Sequence, residues 1–220
     1  MEQSNKPWAM LFDLDGVVID TESQYSVFWD ANGRNYLGEE DFGRRIKGQT
    51  LPQIFENYFS GMTALQQEIT ANVDKLEREM SFDYIPGVEA FVDDLRSHGA
   101  KIAIVTSSNE DKMRHVYEVH PELKVWADRI LTSEMFTRSK PAPDCFLLGM
   151  EVFGATPAET FVFEDSFHGL QAGMDSGATV VGLATTNSRE AIAGKAHCII
   201  NDFRGLDYDW LLTIRRNLSD

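Results

Sequence analysis

Short β-branched apolar runs alternate along this chain with helical patterns that stop at glycine, and that alternation limits the folds open to it. The runs fall at residues 9–12, 102–105, 160–163, 179–183 and 198–200. Between the later ones lie "PGVEAFVDDLRSHG", "SNEDKMRHVYEV", "PDCFLLGMEVFG" and "SFHGLQAGMDSG". In the first of these, Pro86 stands near the start, Gly99 at the stop, and Val88, Phe91, Val92 and Leu95 share one face. That is the pattern of an amphipathic helix with its terminal signals. Strands separated by helices of this length predict βα units, and so an α/β fold: a Rossmann-like parallel sheet with helices on both faces.

One interval breaks the rhythm. Residues 20–85 contain no convincing strand, only helical patterns such as 51–59 and 64–80 with charged outer faces. An all-helical stretch between the first and second strands predicts an inserted α-helical cap domain. The expected division is a catalytic core of residues 1–19 and 86–220 and a cap of residues 20–85.

Composition excludes some partners. Hydrophobic residues make up 43% and charged residues 25% of the 220 positions, ordinary for a globular protein. The formal net charge of -15 argues against nucleic acid and anionic membrane surfaces, both of which need basic patches. No apolar run approaches the roughly 20 residues of a membrane span, and "MEQSNKPWAM" lacks the pattern of a signal peptide. The expectation is a cytoplasmic monomer. Cys145 and Cys198 are the only cysteines, both in apolar segments, and read as two buried thiols.

Ligands of an open parallel sheet bind beyond the carboxyl ends of its strands, so the residues that end each run matter most. The run in "LFDLDGVVID" ends in Asp13 and Asp15 against Gly16. The second ends in Thr106-Ser107-Ser108, the third in Glu164-Asp165, and the loop "TRSKPAPD" supplies Lys140. Each piece has an ordinary explanation: Ser108 or Asn109 as a helix cap, Lys140 as a loop lysine, Glu164-Asp165 as charge at a helix start. Their joint occurrence at strand ends does not.

The chemistry open to this set is phosphoryl transfer. Asp13, expected to be ionised at pH 7, can attack phosphorus and split one hard transfer into two easier ones. Mg2+ would be held between Asp13, Asp165 and Glu164 and the phosphoryl oxygens. Thr106, the neighbouring Ser107 and Lys140 would hold the remaining oxygens. Asp15, two residues along, would face the same side. Near a second carboxylate its proton affinity is expected to rise, which suits a general acid.

"FDLDGVVIDTE", "VTSS", "SKPAPD" and "VFEDSFHGLQAGMDSGA" resemble, in order, the four motifs of the haloacid dehalogenase-like (HAD) superfamily. The resemblance is to its branch with an α-helical cap, which holds β-phosphoglucomutase and many sugar-phosphate phosphatases. It implies Asp13 as nucleophile, Asp15 as acid and base, Thr106 and Lys140 on the phosphate, and magnesium held by Asp13, Asp165, the Asp15 carbonyl and Glu164.

Mutases of that branch carry Lys-Gly-x-Ser-Arg in the cap, and the arginine grips a second phosphate. Here the stretch is Lys47-Gly48-Gln49-Thr50-Leu51, and Tyr25 stands where the mutases carry histidine. Losing a bidentate clamp is not a conservative change, so hydrolysis of a small phosphate monoester is expected over mutase activity. Lys47 is the first cap candidate for substrate binding, with Gln49 and Thr50 beside it. Tyr25 and Trp29 read as core packing and His168 as a surface helix residue. A phospho-receiver module, the non-enzymatic alternative, places its acceptor aspartate on a later strand and has no long helical insertion.

Overall fold

The structure, a computed structural model, describes residues 8–47 and 49–219; Gly48 and the first seven residues of the "MEQSNKPWAM" stretch lie outside it. Strand β1 (Ala9–Phe12) is buried along its whole length, as a central strand of a parallel sheet must be. On one side it pairs with β2 (Lys101–Val105), which pairs in turn with β3 (Arg129–Leu131). On the other side stand β4 (Thr160–Glu164), β5 (Thr179–Leu183) and β6 (Cys198–Ile200). The sheet is six-stranded, all parallel, in the order β3-β2-β1-β4-β5-β6. β3 is the strand that sequence reading missed.

Alternate residues of each strand feed opposite faces. Met10, Phe12, Ile102, Ile104, Phe161 and Phe163 fill one layer, where Phe12 and Phe163 stack at 4.3 Å. Helices α5 (Val88–Ser97), α6 (Glu110–Val119) and α10 (Tyr208–Ser219) cover this layer. Leu11, Ala103, Val105, Val162 and Val180 fill the other, under α8 (Asp144–Phe153) and α9 (Phe167–Ser176). A short helix, α7 (Leu123–Trp126), leads into β3. Cys145 is buried in the second layer, whereas Cys198 is only half-buried, because β6 is an edge strand.

Between β1 and β2 the chain forms α1 (Glu22–Asn32), a π-helical turn (Gly33–Leu37), α2 (Phe42–Ile46), α3 (Leu51–Tyr58) and α4 (Thr63–Glu79). These helices have a separate apolar cluster of Trp29, Phe42, Ile46, Ile54, Phe59, Ile69 and Val73. The two connections to the sheet run side by side: Asp20 N donates to Asp83 O at 2.8 Å and Ile85 N to Val18 O at 3.0 Å. Among the described residues no helix is long and apolar enough to cross a membrane.

Candidate active site

Strand register sets the site. Phe12 is level with Ile104 and with Phe163, so the next residue on, Asp13, comes level with Val105 and Glu164. The Asp13 N–H extends the ladder to Phe163 O at 3.0 Å. Three carboxylates then meet: oxygens of Asp13, Glu164 and Asp165 all lie within 4.8 Å of one another, and all three residues are buried. Lys140 reaches this cluster from its loop, 1% exposed, with Nζ 2.5 Å from Asp13 Oδ1 and 2.6 Å from Glu164 Oε1.

The two members of the acidic pair differ. Glu164 Oε2 accepts from the N–H groups of Asp165 and Ser166 at 2.8 and 2.9 Å and from the Ser166 hydroxyl at 3.1 Å. Gly169 leaves room for it, since a Cβ there would fall on the Glu164 carboxylate. Asp165 Oδ2 is buried and takes no well-formed hydrogen bond; the Thr186 hydroxyl beside it is poorly placed to donate, though near enough to favour the ionised acid. An orphaned carboxylate oxygen among three acids is costly unless a cation completes it. The all-oxygen donor set is the kind hard divalent cations take. The residues fit such an ion.

Burial, opposed by the Lys140 charge and reinforced by Glu164 and Asp15, pushes the Asp13 carboxyl up to about 8. The expectation that Asp13 is ionised at pH 7 therefore fails without a metal: the free-aspartate value takes no account of burial among like charges. Burial also raises Asp165 well above the usual carboxylate range, with Glu164 adding to it.

Asp15 corrects a second expectation. Its proton affinity is lowered, not raised. Burial acts against ionisation, but Lys112 Nζ stands 2.6 Å from Oδ1, Ser108 Oγ donates to Oδ2 at 3.0 Å, and Thr21 Oγ1 donates to Oδ1. Sequence reading counted the neighbouring acid and missed the lysine. The metal-ready cluster is formed by Asp13, Glu164 and Asp165; the Asp15 carboxylate serves Lys112 instead.

The other sequence candidates separate. Ser107 lines the cavity, its hydroxyl buried and unpartnered. Thr106 is 1% exposed, and its hydroxyl accepts from Ser108 N at 2.9 Å, tightening the turn after β2. Asn109 caps α6 by accepting from Lys112 N, and Ser166 caps α9. Lys47 reaches the cavity but is engaged: 3.2 Å from Glu22 Oε2 and 3.3 Å from Thr186 O. Thr50 forms the capping box of α3 with Gln53, so its side chain is held by the helix start rather than left free for a substrate. Tyr25 and Trp29 both pack in the helical cluster and line the cavity. His168 is half-buried rather than on the surface, with Nδ1 unpartnered.

Asp13, Glu164, Asp165 and Lys140 close the floor of a cavity of about 330 Å³ roofed by the helices between β1 and β2. Glu22, Tyr25, Ser26 and Trp29 of α1 and Thr70, Val73, Asp74 and Glu77 of α4 form its walls, in each case at one-turn spacings that share a helix face. Sequence reading missed Glu22, Asp74, Glu77 and Lys112. The helical period of the wall residues was the available signal.

The family model described as haloacid dehalogenase-like hydrolase matches residues 10–183. Hexitol phosphatase A of Escherichia coli is 29% identical over 181 residues, 78% of this chain and 80% of the relative. A HAD hydrolase of Entamoeba histolytica superposes with a TM-score of 0.81 at 21% identity, over 96% of this chain and 100% of that one. β-Phosphoglucomutase of Clostridium difficile superposes at 0.77 and 20% identity, over 97% and 99% of the two chains.

Proposed function

Because this chain belongs to the haloacid dehalogenase-like hydrolase family, we propose that it is a Mg2+-dependent phosphatase acting on a small phosphate monoester, a sugar phosphate or close relation. The observation that carries this is the buried, unpartnered Asp165 Oδ2 beside Asp13 at the floor of a covered cavity. That arrangement suits one divalent cation and leaves room for a phosphoryl group next to a carboxylate.

In this reading residues 20–85 are the cap and residues 1–19 and 86–220 the core. Asp13, Asp165 and Glu164, with the main-chain carbonyl of Asp15, would hold the magnesium. The ion supplies charge neutralisation between carboxylate and phosphate and keeps Asp13 ionised. Asp13 attacks phosphorus and the ester P–O bond breaks. Asp15, which must first take a proton from solvent against the pull of Lys112, gives that proton to the departing alcohol, leaving an aspartyl phosphate on Asp13. Asp15, now ionised, takes a proton from water as that water attacks phosphorus, which frees inorganic phosphate and restores both aspartates. Lys140 and the N–H and hydroxyl groups of Ser107 face the phosphoryl oxygens, where transition-state charge collects.

Hydrolysis is favoured over phosphate shuttling by the cavity walls. A mutase must grip a second phosphate, and no arginine lines this cavity among the described residues. The cap's lysine there, Lys47, already faces Glu22. The named activity of the E. coli relative, a hexitol phosphatase, supports the same class. A cytoplasmic monomer is part of the same reading. Phosphate release from a panel of monoesters, with and without Mg2+, tests the proposal. Turnover that requires Mg2+ and vanishes in Asp13→Asn is expected; turnover by the Asp13→Asn protein would remove that residue from the nucleophile's role.

A further inference from the structure

Lys112 lies on the first turn of α6, only 3% exposed. Its Nζ is 2.6 Å from Asp15 Oδ1 and 4.7 Å from the centre of the Tyr25 ring. Tyr25 belongs to α1, and its hydroxyl donates to Glu77 of α4 at 2.6 Å. One ammonium from the core thus holds the acid on the β1 loop while the helices above cover it.

Burying an ammonium is costly unless its charge is compensated. A buried ion pair adds little net stability over an apolar pair of similar volume, so folding alone gives weak reason for a lysine here. What the lysine does fix is the direction of a carboxylate. Lys112 and Thr21 hold Asp15 Oδ1, and Ser108 holds Oδ2 from the far side. Of these three donors Lys112 alone carries charge, and its hydrogen bond is the stronger kind.

We propose that Lys112 is a positioning residue for proton delivery, fixing the Asp15 carboxyl where the leaving oxygen will stand. This rests on the reading of Asp15 as acid and base. Placement within a fraction of an ångström is worth much of such a group's effect. The step needs a proton that Asp15 has taken from solvent, which the Lys112 charge opposes: the P–O bond breaks, that proton passes to the alkoxide, and Lys112 helps by holding the carboxyl in place.

The test uses two leaving groups. An alkyl phosphate must have its departing oxygen protonated; p-nitrophenyl phosphate releases a stable anion and gains little from an acid. The ratio of kcat/KM for the two esters, read on one enzyme sample with Mg2+, is independent of how much protein is folded. Lys112→Met is expected to lower this ratio about ten-fold, and Lys112→Gln, which keeps a donor, to fall between it and the wild type. Wild-type ratios in both variants overturn the proposal, and so does a ratio raised by Lys112→Met, the result expected if the lysine acted only by opposing the Asp15 proton. Asp15→Asn separates the two failures. If it lowers the ratio and the Lys112 variants do not, only the role of Lys112 falls; if it leaves the ratio unmoved, the acid–base reading of Asp15 falls, and this inference with it.

Discussion

Lys140 Nζ stands 2.5 Å from Asp13 Oδ1, both side chains buried at the floor of the cavity. Among the described residues Lys140 is the cation that meets the cluster of three buried acids, since the same ammonium also bridges to Glu164 at 2.6 Å. Several consequences can be measured.

Removing that cation leaves the buried acidic cluster without its compensating charge. Breaking a buried pair from one side costs on the order of 3–5 kcal/mol. Lys140→Ala is expected to lose stability of that order in denaturant unfolding with chelator present, and to lose turnover. Mg2+ is expected to return part of the stability. Unchanged unfolding would mean that the three acids do not depend on Lys140.

The metal-free protein should become less stable as pH rises. Asp13 is raised to about 8 from an ordinary 3.8, so across this window the folded chain keeps a proton the unfolded chain has lost. The stabilisation is full below the unfolded value and is lost as pH rises through the folded one. Asp165, shifted the same way, adds to it. Asp15 is shifted down, so its contribution is lost only in acid, outside this window. Melting curves in chelator are expected to fall from about pH 4 to about pH 8. With Mg2+, which favours the ionised acids, the gap between the two series should widen with pH. A flat chelator series would contradict the assignment.

Gly16 tests how closely the β1 loop approaches the metal cluster. Its φ is +78°, and a Cβ there would strike Asp165 Oδ2 and the Thr186 hydroxyl. Gly16→Ala is expected to cost about 1 kcal/mol for the backbone alone. It should also weaken Mg2+ binding, read as a smaller Mg2+-induced rise in melting temperature. A rise equal to the wild type's would place the cation elsewhere.

Leu51 stands at the start of α3 and lines the cavity, at the position where mutases of this branch carry arginine. Leu51→Arg is expected to tighten inhibition by a sugar bisphosphate about ten-fold, the worth of a charge-assisted contact. No change in the inhibition constant would show that this wall does not face the second phosphate.

The catalytic strands were legible because β1, β2 and β4 are buried on both faces and so are written as unbroken apolar runs ending in the polar residues that matter. β3 was not. Arg129-Ile130-Leu131 is an edge strand of three residues, too short to show a period. Asp13 and Asp165 were readable from their places at strand ends, and Lys140 from the loop "TRSKPAPD" between them. Lys112 was not, since a lysine in "SNEDKMRHVYEV" reads as solvated and only the helices above bury it. The pKa reversals were hidden as well: Asp13 rises because it is buried among acids, and Asp15 falls because Lys112 reaches it despite burial. Thr50 looked like a ligand group because its neighbours did, while its local sequence, Thr-Leu-Pro-Gln, was that of a helix start.

The central claim is that water, not a second hydroxyl of a sugar phosphate, takes the phosphoryl group from Asp13. The direct measurement is to supply β-glucose 1-phosphate with Mg2+ and a bisphosphate primer, and to quantify free phosphate and glucose 6-phosphate in the same reaction. Hexose and pentose phosphates run alongside. Phosphate release without isomerisation is the predicted result. Rapid conversion to glucose 6-phosphate with little free phosphate would contradict the account, and would mean that this cavity holds a second phosphate without an arginine.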